Sequence, residues 1–338
     1  MLARLMQISD SASTAWRYLP GLAVCLAIAS MSLWLAQCAG TGVVWALLLG
    51  VAVASTVAIR AEFVPGIELA SKHVLRIGVA LLGLQISQET LHALNVASVI
   101  WLCASVILIL AAGWIVGPLL GIARDLSMVL AASVAICGAS AAAAFAMVFL
   151  SGENSKRDMG CTIGLVSLLS MTAMLAYAPL THAMGLSPQA AGFVLGGSIQ
   201  EVVHAVAAGY SVSAGAGDMA TLTKLLRVAL LAPMLFLFGA AATRAQSGVS
   251  SLPLLPWFLV VFTLFALLNL FGFVPKPLET VAAGVSRFCL VVALAGIGIM
   301  LPWRNLVSYG WQPLALLILL SALLLAFMAG FVILMPFG

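Results

Sequence analysis

The sequence predicts an all-α polytopic membrane protein, and three observations carry that expectation. The chain is 64% hydrophobic and only 7% charged, with a mean hydropathy of +1.22, whereas a soluble domain carries roughly a quarter charged residues. Its apolar runs are continuous for about twenty residues, the length a helix needs to cross a bilayer, and do not alternate over about ten as barrel strands do. Gly, Pro and charge punctuate these runs, and no connection is long enough to form a domain outside the membrane. Length therefore counts spans, about ten or eleven at ~20 residues each, and residues 1–338 form a single integral membrane domain.

Taken in order, the first run covers 19–37 and follows Arg4 and Arg17. It is longer than a signal-peptide core, so it reads as an uncleaved anchor behind a cytoplasmic segment, 1–18. Runs at 41–59, 67–87 and 94–116 follow, then one at 126–150 that contains "AICGASAAAAFA". Gly138 and Ser140 interrupt its Leu/Val pattern. Small residues there suit close helix packing; alternatively, a broken helix aims the N–H groups of Gly138 to Ser140 at an anion. The polar "SGENSKRD" (151–158) is a solvated turn. Further runs lie at 160–181, 189–210, 221–242, 254–273, 278–300 and 311–334, with Asn269 in the ninth placed for an interhelical hydrogen bond.

The net charge of +4 does not point to nucleic acid, because most basic residues end apolar runs, where they anchor and orient helices. If every run spans, Arg4, Arg17, Arg60, Lys72, Arg124 and Arg244 share one side, while Lys156, Arg157 and Lys276 fall on the other. A re-entrant segment at 126–150 would reverse all that follows it, leaving Arg244 and Arg304 opposite. Orientation stays open. The six cysteines (Cys25, Cys38, Cys103, Cys137, Cys161, Cys289) stand singly and read as small apolar packers.

Two internal echoes suggest a repeat. "ALLGLQI" (80–86) resembles "ALAGIGI" (293–299), and "AGWIVGPLLG" (112–121) resembles "AGFVILMPFG" (329–338), at nearly equal offsets. The paired spans lie an odd number of crossings apart, so the copies run in opposite directions, as in many secondary transporters.

The seventh run carries the chemistry, in "GGSIQEVVHAVAAG" (196–209). Ser198-x-x-Glu201 matches a capping box, so a helix start is expected at Ser198 in mid-run, behind Gly196 and Gly197. Glu201 is the one acidic residue deep within a predicted span, at a cost of about 2.5–3.5 kcal/mol, which makes it functional by default. Gln200 and His204 share its helical face and complete a set able to bind a polar substrate or relay protons. Glu-x-x-His also occurs in di-iron bundles, but these need a second copy and further carboxylates, so no metal or cofactor is expected. Ser198 lacks a GxSxG elbow and a loop-borne base, so an enzyme is not expected either. Among the basic residues, snorkelling accounts for Lys72, Arg76 and Arg227. Lys224 is retained as a counter-charge because its span follows the Glu201 helix directly.

"LRIGVALLGLQIS", "ICGASAAAA", "GGSIQEVVHAVAAG" and "TKLLRVALLAP" together resemble the proposed sulfate exporter family of bacterial inner-membrane proteins, from about residue 40 to the C-terminus. That family looks related to the bile acid–sodium symporters, whose fold has inverted repeats and two crossed, broken helices. The resemblance implies breaks at Gly138 to Ser140 and at Gly197 to His204, crossing near the midplane. Cys137-Gly138-Ala139-Ser140 stands where the family usually has Cys-Gly-Asn-Ser, and Ser198-Ile199-Gln200-Glu201 where it has Ser-Ile-His-Asp, with His204 near the family's Gln. The acid is kept, one methylene longer, and imidazole and amide change places.

The expected function is therefore secondary transport, nominally export, of a small anion such as sulfate or an organosulfonate. Cys137, Gly138, Ala139, Ser140, Gly197, Ser198, Gln200, Glu201 and His204 would line the substrate site. Glu201, His204 and Lys224 would supply coupling or counter-charge, with a proton or sodium ion as the coupling ion. A cation–proton exchanger centred on Glu201 is the alternative, an intramembrane enzyme a more distant one, and assembly as a homodimer is left open.

Overall fold

The structure is a computed structural model that describes residues 2–38, 41–56, 59–152, 154–242, 256–300 and 310–335, with side chains at all of these except 2–16 and 239–242. Arg244, Arg304 and the side chain of Arg4 lie outside the described residues, as does the end of the "AGFVILMPFG" echo. Every regular element among the described residues is helical. Six helical stretches are long and apolar enough to cross a membrane: Arg17–Leu35, Val96–Leu119, Ser155–Ala183, Ala214–Phe238, Lys276–Met300 and Trp311–Leu334. The chain divides into two compact units.

The first unit comprises residues 1–85 and 272–301. Its N-terminal helix α1 (Leu2–Leu35) continues through Pro20, so the segment 1–18, expected as a separate terminus, is helical from residue 2. It is followed by α2 (Gly42–Thr56) and α3 (Val64–Glu68), which runs through a π-helical turn (Leu69–Val74) into α4 (Leu75–Leu82). The unit's last helix, Lys276–Met300, packs along α2 and α4. Small residues set that contact: a Cβ on Gly298 would stand 2.6 Å from the Leu47 carbonyl oxygen, and one on Gly50 would meet Ala295 at 2.5 Å. In lipid, close backbone approach of this kind replaces the hydrophobic drive that water would provide.

The second unit comprises residues 86–271 and 302–338. It starts with α5 (Gln88–Ala93), N-capped by Ser87, and α6 (Val96–Leu119), whose cap Asn95 accepts from the Ser98 amide at 2.9 Å. The 126–150 run becomes two short helices, α7 (Arg124–Ala135) and α8 (Ala139–Phe149), separated at 136–138. After α9 (Ser155–Ala183), the 189–210 run likewise divides into α10 (Pro188–Ser198) and α11 (Val202–Val212), separated at 199–201. Then come α12 (Ala214–Ala229), α13 (Leu231–Ala242) and α14 (Trp257–Leu270). The helix Lys276–Met300 of the first unit is α15, and α16 (Trp311–Leu334) completes the second unit. Asn269 on α14 donates to the Ile86 carbonyl at 3.3 Å, a bond to a loop carbonyl where an interhelical one was expected.

The centre of the second unit is α12, packed against α10 and α11. Gly192 and Gly196, one turn apart on α10, meet Ala216 and Ala220, one turn apart on α12. A Cβ at Gly196 would stand 2.9 Å from the Ala220 Cα, so the two backbones touch. α16 closes the unit against α6, α7 and α10, with Trp101 stacked on Phe327 at 4.3 Å and donating its indole N–H to the Phe327 carbonyl.

Candidate functional site

Each interruption leaves carbonyls at the end of one helix and N–H groups at the start of the next without helical partners. In the second unit both sets of carbonyls are claimed by α12. Arg227 donates through Nε to the Ala135 carbonyl at 3.0 Å and through Nη2 to Val134 at 2.9 Å. It also donates to the Gly197 carbonyl through Nη1. Lys224, one turn earlier, donates to the carbonyls of Ile136 at 2.9 Å and Ile199 at 2.7 Å. Both side chains are fully buried. A guanidinium suits this task because its fixed fork reaches several acceptors at once, and the compact ammonium fills the gap between the two breaks. The carbonyl ends of α7 and α10 carry partial negative charge, so the cations offset both dipoles as well as the lost bonds.

The N-terminal sides of the breaks meet at Glu201. Gly138, the N-cap of α8, has φ of 64°, and a Cβ there would stand 2.6 Å from Glu201 Cγ. Both the backbone angle and the space exclude a side chain. Glu201 is itself the N-cap of α11, in extended geometry (φ −93°, ψ 144°). One carboxylate thus lies at the start of two helices, where their dipoles favour negative charge.

Hydroxyls of α9 fix it in place. Ser167 donates to Glu201 Oε1 at 2.7 Å, and the Glu201 amide donates to Ser170 Oγ at 3.2 Å. Ser170 in turn donates to Gln200 Oε1 at 3.2 Å, and Gln200 Nε2 donates to Ser321 of α16 at 2.7 Å. Gln200 is thereby spent on tying α9, α10 and α16 together. His204 Nδ1 lies 3.0 Å from Glu201 Oε2. This is ion-pair distance without hydrogen-bond alignment, since neither ring nitrogen has a hydrogen-bond partner among the described residues although the imidazole is fully buried. Glu201 retains 12% side-chain exposure. Val202, next to it in sequence, and Ala139, next to Gly138, are half-buried, and Ser140 is exposed.

The sequence-derived residues therefore divide. Gly138, Glu201, His204 and Lys224 form one buried cluster, with Cys137 and Gly197 in its wall; Gly197 abuts Met328 of α16 and gives its carbonyl to Arg227. Ala139 and Ser140 open the first turn of α8. Ser198 departs from expectation. It does not start a helix but ends one, and its hydroxyl donates to the Val194 carbonyl one turn back at 2.6 Å. The capping box is not formed, since Glu201 makes no side-chain capping bond.

Arg227, Ser167, Ser170 and Ser321 were not singled out by sequence reasoning for this site. Arg227 was assigned to snorkelling because its span was placed at 221–242, which puts Lys224 and Arg227 in the first turns. The helix begins at Ala214 and ends at Ala229, so Lys224 lies past its middle and Arg227 in its last turn, both fully buried. Their three-residue spacing on one face was the available signal. Lys72, by contrast, is exposed and pairs with Glu68 at 3.2 Å.

The family model described as conserved hypothetical protein 698 matches residues 20–317. A UPF0324 membrane protein of Chlorobaculum tepidum is 36% identical over 321 residues, covering 94% of this chain and 90% of that protein. The UPF0324 membrane protein TauZ of Paracoccus denitrificans is 36% identical over 314 residues, 91% of this chain and 93% of its own. The UPF0324 inner membrane protein YeiH of Escherichia coli is 29% identical over 327 residues, 92% and 93% of the two chains. No solved structure matches the chain.

Proposed function

Since the chain belongs to the UPF0324 family of membrane proteins, conserved hypothetical protein 698, we propose that it is a secondary active transporter of a small anion. Its cargo is of the sulfate or organosulfonate class, moved across the bacterial inner membrane. On this reading α7–α8 and α10–α11 are the two broken helices, set in inverted repeats and crossing near the midplane. The shorter apolar helices, such as Gly42–Thr56 and Trp257–Leu270, bring the spans to ten or eleven. The name of the Escherichia coli relative places that protein in the inner membrane, which supports the same location here.

One observation carries the reading. Two buried cations, Lys224 and Arg227, hold the carbonyl ends of α7 and α10, across the two interruptions from the starts of α8 and α11 and the partly accessible Glu201 carboxylate. Discontinuous helices whose N-termini face anionic groups are the recurrent binding device of secondary transporters. Lys224 has three donors, of which two are used among the described residues, so its charge and one N–H remain for a ligand. The cation–proton exchanger is less well supported. A metal cation needs the freed carbonyls of α7 and α10 as ligands, and Arg227 and Lys224 already occupy those carbonyls. A Ser198-based enzyme is disfavoured by the commitment of that hydroxyl to Val194.

The test is uptake of labelled sulfate and methanesulfonate into proteoliposomes, with and without a pH gradient. Uptake by the wild type and its loss in Lys224→Met is the expected result. Uptake that is unchanged in Lys224→Met, or proton-driven sodium flux with no anion flux, would refute the assignment.

A further inference from the structure

The groups that favour an anion at this site already hold one, the protein's own Glu201. Glu201 occupies the N-cap position of α11, its Cγ packs on the N-cap glycine of α8, and its carboxylate is held by Ser167. We propose that Glu201 is a tethered stand-in for the transported anion, and that an external anion can take its place only when the Glu201–His204 pair has accepted a proton. This rests on the anion-transport reading and adds to it the coupling rule, one proton with each anion.

Space, charge and access all support it. Gly138 leaves room for the Glu201 side chain and nothing more, since even a methyl group would stand 2.6 Å from Cγ. A substrate reaching the α8 N-terminus must therefore displace that side chain. The titratable and charged groups facing Glu201 are His204 on its own helix and Lys224 on α12, with Arg227 and Cys137 grouped around Lys224; α9 presents the hydroxyls of Ser167 and Ser170, and the adjoining Gln200 links to Ser321 of α16. With Glu201 ionised, one negative charge answers two buried cations, and an added anion brings a like charge against the carboxylate. Protonation removes that repulsion and leaves two cations to be neutralised.

His204 is an independent sign of the same role. It is fully buried, its Nδ1 is 3.0 Å from Glu201 Oε2 and both ring nitrogens lack a hydrogen-bond partner among the described residues. A proton can reach Glu201 from solvent, since its side chain keeps 12% exposure. Once displaced, the protonated carboxyl can donate to the substrate oxygen that replaced it.

The decisive measurement is sulfate binding to the full-length protein in detergent across acid to alkaline pH, by calorimetry, with proton uptake followed by an indicator dye in weak buffer. The wild type should take up one proton per sulfate bound. Its Kd should rise by up to about tenfold per pH unit on the alkaline side, as a single linked proton requires. Glu201→Gln, a permanently neutral stand-in, should bind at least as tightly as the wild type at its acid optimum and with no pH slope or proton uptake. Binding that is equally pH-independent in both proteins overturns the stand-in role and leaves anion transport intact. Failure of both proteins to bind sulfate or methanesulfonate at any pH overturns the transport reading as well. Wild-type proton uptake decides the question alone if Glu201→Gln does not fold.

Discussion

Replacing Arg227 by Met isolates the contribution of the cation that holds the two breaks together. Met keeps an apolar stem of similar reach and removes every donor. The carbonyls of Val134, Ala135 and Gly197, all served by Arg227, then stay buried without that partner. Each such acceptor costs about 1–3 kcal/mol, so the gross loss is roughly 3–9 kcal/mol. Breaking a buried charged interaction by removing one partner typically costs about 3–5 kcal/mol net, inside that gross range, and this is the loss expected here. Chemical unfolding of the purified protein in one fixed detergent, followed by tryptophan fluorescence, reads this directly. Arg227→Lys should fall between the two, because an ammonium on this stem lacks the planar fork with which Arg227 reaches the carbonyls of Val134, Ala135 and Gly197. A loss below about 0.5 kcal/mol for Arg227→Met, the range of ordinary surface changes, would refute the claim that this residue staples the breaks.

Two other substitutions bear on the site. Gly138→Ala puts a Cβ on a residue at φ 64° and 2.6 Å from Glu201 Cγ. It should cost about 1–3 kcal/mol in the same unfolding assay and abolish anion uptake; uptake at the wild-type rate would contradict the packing described. Ser198→Ala removes a hydroxyl that bonds only one turn back in its own helix. Transport should stay within twofold of wild type, a change of about 0.4 kcal/mol in barrier, and a severe loss would revive a direct role for that hydroxyl.

The membrane class and the position of nearly every helix were legible because hydropathy and chain length decide them locally. The sites of interruption were half legible. "CGAS" lies between the end of α7 at Ala135 and the first turn of α8, where Gly138 has a φ of 64° that only glycine adopts freely. In "GGSIQE" the capping pattern pointed to Ser198, three residues early. Ser198 satisfies its hydroxyl inside α10, and α10 stops where the Ile199 carbonyl finds Lys224, 25 residues on. That choice is made by tertiary contact and leaves no local mark. Arg227 was hidden for a related reason, since a basic residue near the end of an apolar run has a sufficient local explanation in snorkelling. Its three carbonyl acceptors belong to segments 30 to 93 residues away.

That separation also constrains how the chain is made. The carbonyls at the end of α7 are synthesised 92 residues before the Arg227 that receives them. At about 5–20 residues per second, the wait is roughly 5–18 s. Unpaired carbonyls are costly in hydrocarbon, so α7 and α8 cannot be released into lipid as a finished span during that interval. They must be sheltered by the insertion machinery or at the interface until α12 arrives, and α10, made within the same interval, enters the membrane together with it. On this account Arg227→Met should accumulate in the membrane to a lower level than the wild type, a loss separate from the lower stability of the molecules that do assemble.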